Sequence, residues 1–329
     1  MRFAHKWTTC TVHAVRDVAP AVREFMLRPE GMNVENYAIG SHVNVGVLID
    51  GRPETRSYSL VGDARPDGYR IAVRRAPDSR GGSLYMWSLE PGAHVEVSSP
   101  ASLLEIDRSR KSYCLIAGGI GITPIIGISN ALMRRNAELE LHYAVKSRND
   151  AAYLGELSEL LGDRLIIHAT DEGKRIGLDE TFGRLPPDAL AIICGPMRLL
   201  EAARRSWASA GRPPTDLRYE TFGSSGLLPT ESFRVRIDSS SREIVVPENK
   251  SMLDALNEAG YEIMSDCQRG ECGVCAIDVV TVDGQIDHRD VFFSDHQKEA
   301  NGKICPCVSR AVGAITVNTL YQSDESAGA

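Results

Sequence analysis

Three cysteines in the run D-C-Q-R-G-E-C-G-V-C, Cys267, Cys272 and Cys275, stand in C-x4-C-x2-C spacing, and a further stretch, C-P-C-V-S-R, carries Cys305 and Cys307. A loop so spaced turns its thiols toward one point, which ties this part of the chain to a metal-holding turn. The spacing is that of a plant-type [2Fe–2S] loop, where four thiolates hold two irons and glycine lets backbone amides face the sulfurs. Zinc sites more often use two C-x2-C pairs, and only one close pair occurs here before a long gap. The fourth thiolate stays open at this point: Cys305 and Cys307 flank Pro306, and only one of them can complete a site that already has three. Cys10, Cys114 and Cys194 sit singly among apolar neighbours, as buried free thiols commonly do.

The remainder of the 329 residues has room for one or two further domains. Hydrophobic content of 43% with 25% charged residues suggests neither disorder nor a membrane span. The opening MRFAHKWTTCTVHAVRD lacks an apolar core and a cleavage site, and no later stretch approaches the apolar length of a spanning helix. A cytoplasmic protein is expected, in which crowded cysteines serve metal or redox chemistry before disulfides. The net charge of -7 is unevenly placed: from Phe233 onward there are 9 Lys+Arg against 16 Asp+Glu, and the preceding residues balance at 28 each. An acidic module on a balanced chain argues against nucleic-acid binding and for docking on a basic protein surface.

Texture divides the chain further. The first hundred residues alternate polar and apolar positions in short runs such as HVNVGVLI and YRIAVRR, the pattern of a small antiparallel barrel. From about Lys111, buried strands (SYCLI, LELHYAV, RLIIHA, ALAIIC) alternate with helical stretches, which predicts an α/β domain with a parallel sheet. GSSGLLPTES reads as a linker, and FRVRI, REIVVP, SMLDALNEAG and AITVNTL give an α+β module around the cysteine loop. The expected domains are 1–106, the β-barrel; 107–223, the α/β domain; 224–232, the linker; and 233–329, the cysteine-bearing α+β module.

Two motifs carry the flavin and nucleotide expectations. Arg56-Ser57-Tyr58-Ser59 lies in a strand-like run, and Gly81-Gly82-Ser83 follows at a helix start: a fixed cation, free backbone N–H groups and a hydroxyl suit one phosphate. Gly118-Gly119-Ile120-Gly121-Ile122-Thr123-Pro124 joins a buried strand to a helix, where glycines let the backbone approach a pyrophosphate. Lys146, Ser147 and Arg148 follow the next strand, where a ribose 2′ substituent is met; their basic groups leave NADPH open beside NADH.

In this order, ahead of an α/β domain, these motifs resemble the ferredoxin-NADP reductase superfamily. The stretches D-H-R-D, Asp287 to Asp290, and C-V-S-R, Cys307 to Arg310, are similar to those in reductases of the phthalate dioxygenase reductase and vanillate demethylase reductase type. The resemblance runs from about residue 5 to Leu320, and it implies that 1–106 is a flavin-binding β-barrel, 107–223 an NAD(P)H-binding α/β domain and 233–329 a β-grasp [2Fe–2S] ferredoxin domain. It implies FMN rather than FAD, held by Arg56, Ser57, Tyr58, Ser59, Gly81, Gly82 and Ser83; NADH at Gly118, Gly119, Gly121, Thr123, Pro124, Ser147, Arg148, Cys194, Gly195 and Pro196; and Cys307 as fourth cluster ligand. Thr123, Cys194 and Phe222 would bear on hydride transfer, Cys194 where the nicotinamide stacks and Phe222, within Glu220-Thr221-Phe222-Gly223, beside the flavin. By the same resemblance the chain is the reductase component of a two-component oxygenase. The partner would be a Rieske non-haem iron oxygenase, since no Rieske C-x-H pattern occurs in this chain. A redox sensor without turnover and a stand-alone flavin reductase are the competing readings.

Overall fold

The computed structural model describes residues 6–319 apart from 32–33, 35, 50, 77–80, 103–105, 108, 223–225, 229, 241 and 249. Ser79, Arg80, Gly223, part of the expected linker and Leu320 therefore lie outside the described residues.

The amino-terminal alternation becomes β1 (Trp7–Ala19), β2 (Val22–Pro29), β3 (His42–Ile49), β4 (Arg52–Ser59), β5 (Tyr69–Arg74) and, after helix α1 (Gly82–Ser88), β6 (His94–Ser98). They pair antiparallel in the order β4-β3-β6-β1-β2-β5, and a bridge from Leu60 to Ile71 brings the chain leaving β4 onto β5. Inward positions supply a core of Val12, Phe25, Leu27, Val43 and Val45, and Met86 from α1 joins it. Alternation thus gives a barrel whose outward positions are free for polar work.

The second sheet is built from β7 (Ser112–Gly118), α2 (Ile122–Arg134), β8 (Glu138–Val145), α3 (Leu154–Leu161), β9 (Leu165–Ala169), α4 (Leu178–Arg184), β10 (Leu190–Cys194), α5 (Met197–Ser209) and β11 (Leu217–Glu220). Its strands are parallel, in the order β11-β10-β7-β8-β9. Every residue of β7 is buried, as expected of a strand covered on both faces. From β7 the chain steps first to β8 on one side and later returns to β10 on the other. The carboxyl ends of β7 and β10 therefore frame the switch point where open α/β sheets take their ligands.

Barrel and parallel sheet belong to one compact unit, which runs to Gly195 and includes Leu199–Glu220. Side chains tie the two: Arg134 makes a two-pronged bond to Asp63 at 2.7 Å, and Glu24 accepts from Arg70 at 2.6 Å and from the Tyr153 hydroxyl at 2.9 Å. Burial is the largest influence on the Tyr153 phenol and, with Glu24 beside it, drives its pKa up, so it stays a donor to that carboxylate. Gly127 of α2 faces the barrel so closely that a Cβ there would sit 2.8 Å from the carbonyl oxygen of Gly62.

The second unit holds Pro196–Arg198 and the chain from Thr221 on. It contains β12 (Phe233–Ile237), β13 (Glu243–Val246), α6 (Met252–Glu258), β14 (Ile277–Asp287), α7 (Asp295–Ala300), β15 (Lys303–Ile304) and β16 (Arg310–Asn318). The sheet order is β13-β12-β16-β14-β15, with only β12 and β16 parallel among these pairs. Ser251 caps α6 by accepting from the Asp254 N–H, while Asp254 accepts from the backbone of Ser251. This α+β arrangement matches the expected β-grasp module. Among the described residues no helix is long and apolar enough to cross a membrane.

Candidate functional site

In the barrel, strand alternation divides the Arg56–Ser59 motif. Arg56 and Tyr58 stand opposite Val45 and Val43, while Ser57 and Ser59 stand opposite Asn44 and His42 on the other face. The Arg56 guanidinium bonds Glu54 at 2.6 Å and the Thr55 carbonyl at 2.8 Å, and its stem lies across the start of α1. Gly82 has no side chain because Arg56 occupies the space: a Cβ there would be 2.8 Å from Arg56 Cγ and Nε. Burial pushes the Tyr58 phenol up, against the pull of Arg56, so it presents a neutral aromatic face. Ser57 is engaged with Asn44 at 2.5 Å, and the Ser83 hydroxyl with the backbone of Ala76 at 3.2 and 3.3 Å. Ser59 differs: its hydroxyl is buried and has no partner among the described residues. On the opposite face, a cation at a glycine-lined helix start and a neutral aromatic together suit a phosphate and a ring system. The residues present fit a flavin mononucleotide.

At the switch point, two glycine turns lie backbone to backbone. Gly118–Gly121 leaves β7 and Cys194–Gly195 leaves β10; a Cβ on Gly121 would stand 2.2 Å from the Cys194 carbonyl oxygen, and one on Gly195 would stand 3.1 Å from Gly118 Cα. The sequence signalled each turn but not that they abut. Thr123 is buried in the first turn of α2 and donates to the Ile120 carbonyl at 3.0 Å, while Cys194 is also buried. Both therefore shape the turn from within. Beyond β8, Ser147 forms a capping box with Asp150, and the half-exposed Arg148 bonds Glu172 at 2.8 Å. The two residues expected at the ribose are thus each tied to a carboxylate.

Glu220 ends β11, and Thr221 and Phe222 belong to the second unit, where the Thr221 N–H donates to Glu271 at 3.4 Å. Phe222 is half-buried.

The cysteine loop gathers its thiols as the spacing requires. Cys267 Sγ accepts the N–H groups of Arg269 and Cys272, both at 3.4 Å. Its pKa is lowered to about 5, first by the Cys272 thiol and then by these amides, against burial. Cys275 Sγ lies 3.2 Å from Cys307 Sγ, across 32 residues of chain. The pKa of Cys275 is lowered to about 4 by the thiols of Cys305 and Cys307 and by backbone N–H groups. Cys305 and Cys307 are distinguished by their other neighbours: Cys307 accepts from the Gly270 backbone and feels Cys267, whereas Cys305 feels Asp290. Loop amides aimed at sulfur and four converging thiols fit a two-iron cluster.

The supports of this loop were hidden in the sequence. Asp290, wholly buried, accepts from the Ser309 hydroxyl at 2.9 Å and from the Phe293 N–H at 3.0 Å, while Ser309 accepts from the Arg289 N–H at 3.0 Å. Arg289 pairs with Asp287 at 2.7 Å, and Arg310 donates to the carbonyls of Lys250, Glu231 and Pro247. The D-H-R-D and C-V-S-R stretches therefore act as one hydrogen-bonded frame beneath the cluster loop. Only the presence of charged residues between apolar strands could have pointed to it.

Fold and site together define an NAD(P)H-dependent oxidoreductase that couples a flavin and nucleotide half to an iron–sulfur module. Residues 235–312 match the 2Fe-2S iron-sulfur cluster binding domain and residues 115–205 the oxidoreductase NAD-binding domain. The chain is 34% identical to the heme-dependent oxidative N-demethylase beta subunit of Ectopseudomonas mendocina, over 92% of this chain and 96% of that one. It is 31% identical to the vanillate O-demethylase oxidoreductase of Acinetobacter baylyi, over 94% and 98%. Phthalate dioxygenase reductase, described as a modular structure for electron transfer from pyridine nucleotides to [2Fe-2S], superposes with a TM-score of 0.74 at 28% identity, covering 95% of this chain and 98% of that one. The chain belongs to the family of reductase subunits of multicomponent oxygenases, and an oxygenase is its electron acceptor.

Proposed function

We propose that this chain takes hydride from NADH onto FMN and passes electrons through a [2Fe–2S] cluster to a Rieske non-haem iron oxygenase. The carrying observation is the meeting of the two glycine turns at the sheet's switch point, in a chain whose second unit also brings Cys275 and Cys307 to 3.2 Å. When bound, the flavin converts a two-electron hydride into single electrons and the cluster relays them one at a time. The protein's part is positioning. Arg56 would take the flavin phosphate, with the Gly81 and Gly82 backbone and Ser83 closing on it, Tyr58 lying against the ring and Ser57 and Ser59 lining it. Gly118, Gly119, Gly121 and Pro124 would admit the pyrophosphate, with Gly195 and Pro196 opposite. Thr123 and Cys194 would fix the turns against which the nicotinamide sits, and Phe222 would stack at the flavin. Cys267, Cys272, Cys275 and Cys307 would hold the irons, with Cys305 an extra thiol beside Cys275.

NADH is favoured over NADPH because Arg148 is already neutralised by Glu172 and Ser147 is held by Asp150. Glu172→Gln is expected to move the kcat/KM ratio about two- to fivefold toward NADPH, read from initial rates with both nucleotides; an unmoved ratio removes Arg148 from the ribose site. Arg56→Ala is expected to weaken FMN binding about ten- to hundredfold, the worth of a charge-assisted contact, with unchanged flavin occupancy as the contrary result.

The Rieske assignment rests on the D-H-R-D and C-V-S-R likeness. The N-demethylase relative's name makes that system heme-dependent, so a haem component is the alternative acceptor. The eight free cysteines suit a reducing, cytoplasmic compartment. We take 1–106, 107–223 and 233–329 as the working domains, with 224–232 as linker. The test is reconstitution: with NADH and a purified Rieske oxygenase, substrate turnover should exceed that with a haem oxygenase component, and it should slow as salt rises if the acidic module steers docking. Turnover with the haem component alone would reassign the partner, and the absence of any NADH-driven cytochrome c reduction would leave the redox-sensor reading.

A further inference from the structure

Away from both redox centres, the parallel sheet carries a group of ligand-type side chains on a face otherwise packed with apolar residues. Cys114 of β7 stands beside Glu140 of β8 in register, and His142, two residues on, shares that face. His168 of β9 is registered with Ala144 and so joins them. One ligand atom from each of Cys114, Glu140 and His142 lies within 4.8 Å of the others. Cys114 and His142 are buried, and around them pack Ile116, Phe182, Leu185 and Trp207.

The hydrogen bonds of this cluster run through His142. His142 Nδ1 lies 2.9 Å from His168 Nε2, and His142 Nε2 lies 3.0 Å from Glu140 Oε1. His168 also bonds the backbone of Arg175 as a donor. With that donation made from Nδ1, a neutral His168 has only a lone pair at Nε2, so His142 must donate from Nδ1. His142 Nε2 faces Glu140 Oε1, and the Cys114 sulfur lies within 4.8 Å of both, so one ion among the three would meet a thiolate, an imidazole nitrogen and a carboxylate oxygen.

We propose that Cys114, Glu140 and His142 form a zinc-type divalent metal site, with His168 as the positioning residue that fixes the His142 tautomer. A thiolate, an imidazole and a carboxylate are the ligand set of a borderline divalent ion, and metal-bound histidines characteristically donate their second N–H to a neighbour, as His142 does to His168. Zinc bonds of about 2.0–2.3 Å place ligand atoms about 3–4 Å apart, so the cluster closes with small side-chain shifts. Uptake of Zn2+ displaces the thiol proton of Cys114 and involves no change of oxidation state. Arg184 bonds Glu140 Oε2 at 3.1 Å and Oε1 at 3.3 Å, so Oε2 can keep it when Oε1 turns to the ion, and the carboxylate's partial exposure beside edge strand β9 gives the ion and a fourth, water ligand a way in. The ion would cross-link β7 and β8, the strands that lead into the glycine turn and into Ser147.

The test uses the flavin- and cluster-loaded protein, freed of loose metal on a chelating resin and given one equivalent of zinc chloride. Zinc content after gel filtration and zinc K-edge absorption are then measured. The expected result is about one retained zinc with a single sulfur at about 2.3 Å and the rest nitrogen or oxygen at about 2.0–2.2 Å. Cys114→Ser removes the sulfur shell, and Glu140→Gln, at a partly exposed position compatible with folding, weakens retention by at least about tenfold. His168→Asn weakens it about tenfold while keeping the one-sulfur shell. The proposal is overturned if the wild-type protein retains no zinc, if Glu140→Gln and Cys114→Ser retain it as tightly, or if the bound zinc shows four sulfurs and so sits in the cysteine loop.

Discussion

Cys272→Ser abolishes the visible absorbance of the cluster and lowers NADH-driven cytochrome c reduction by on the order of 100-fold or more, while NADH still bleaches the flavin. The magnitude follows from the place of Cys272 in the loop: its N–H bonds Cys267 Sγ at 3.4 Å and its own thiol completes the same half of the site. Loss of partners that only orient a ligand already costs about 10–100-fold in metal sites, so loss of a ligand reaches at least the upper end. Apart from Pro196 and Phe222, the flavin and nucleotide residues belong to a different compact unit with its own cores, which is why the first half-reaction survives. Simultaneous loss of both half-reactions in stopped-flow measurements would contradict this division of labour. A Cys305→Ser control is expected to keep the absorbance, since Cys307, and not Cys305, feels the Cys267 thiol across the site.

Gly121→Ala is expected to have the second largest effect. The new methyl group would be placed 2.2 Å from the Cys194 carbonyl oxygen and 2.9 Å from the Gly195 nitrogen, both backbone atoms fixed by the parallel pairing of β7 with β10. A flexible side chain would yield to it, but two paired strands will not. Overpacking of this kind costs about 1–3 kcal/mol or more, and relief requires the two turns to separate where a pyrophosphate must fit. NADH-dependent flavin reduction should fall at least tenfold, with a raised KM, while flavin content and cluster absorbance persist. A variant with the KM of the wild type would show that the crevice lies elsewhere. Arg134, bonded to Asp63 from the far end of α2, helps hold the helix that this turn begins.

The legible part of the molecule was the part written in short local patterns. The C-x4-C-x2-C loop, the G-G-x-G turn and the burial of SYCLI all act through neighbours in sequence, and they led to the right cofactor chemistry and sheet types. Contacts between distant residues were not legible. Asp290 and Ser309 are ordinary polar residues until the fold brings them to 2.9 Å, and the Glu24–Tyr153 bond spans 129 positions. The four residues of Arg56–Ser59 read as one binding motif, yet the two-residue period of β4 sends them alternately to opposite faces. Cys114 reads as a core residue by itself; only the register of β7 with β8 makes a cluster of it with Glu140 and His142. Compactness also departs from sequence order, since Pro196–Arg198 groups with the second unit although the chain around it belongs to the first.

The central claim is that electrons from nicotinamide reach an iron–sulfur centre held by Cys267, Cys272, Cys275 and Cys307. Low-temperature electron paramagnetic resonance of the anaerobic holoprotein after addition of excess NADH measures this directly. The account predicts the spectrum of a reduced two-iron centre, present in the wild type and absent from Cys272→Ser. Full bleaching of the flavin by NADH with no such spectrum from iron-replete wild-type protein would contradict it.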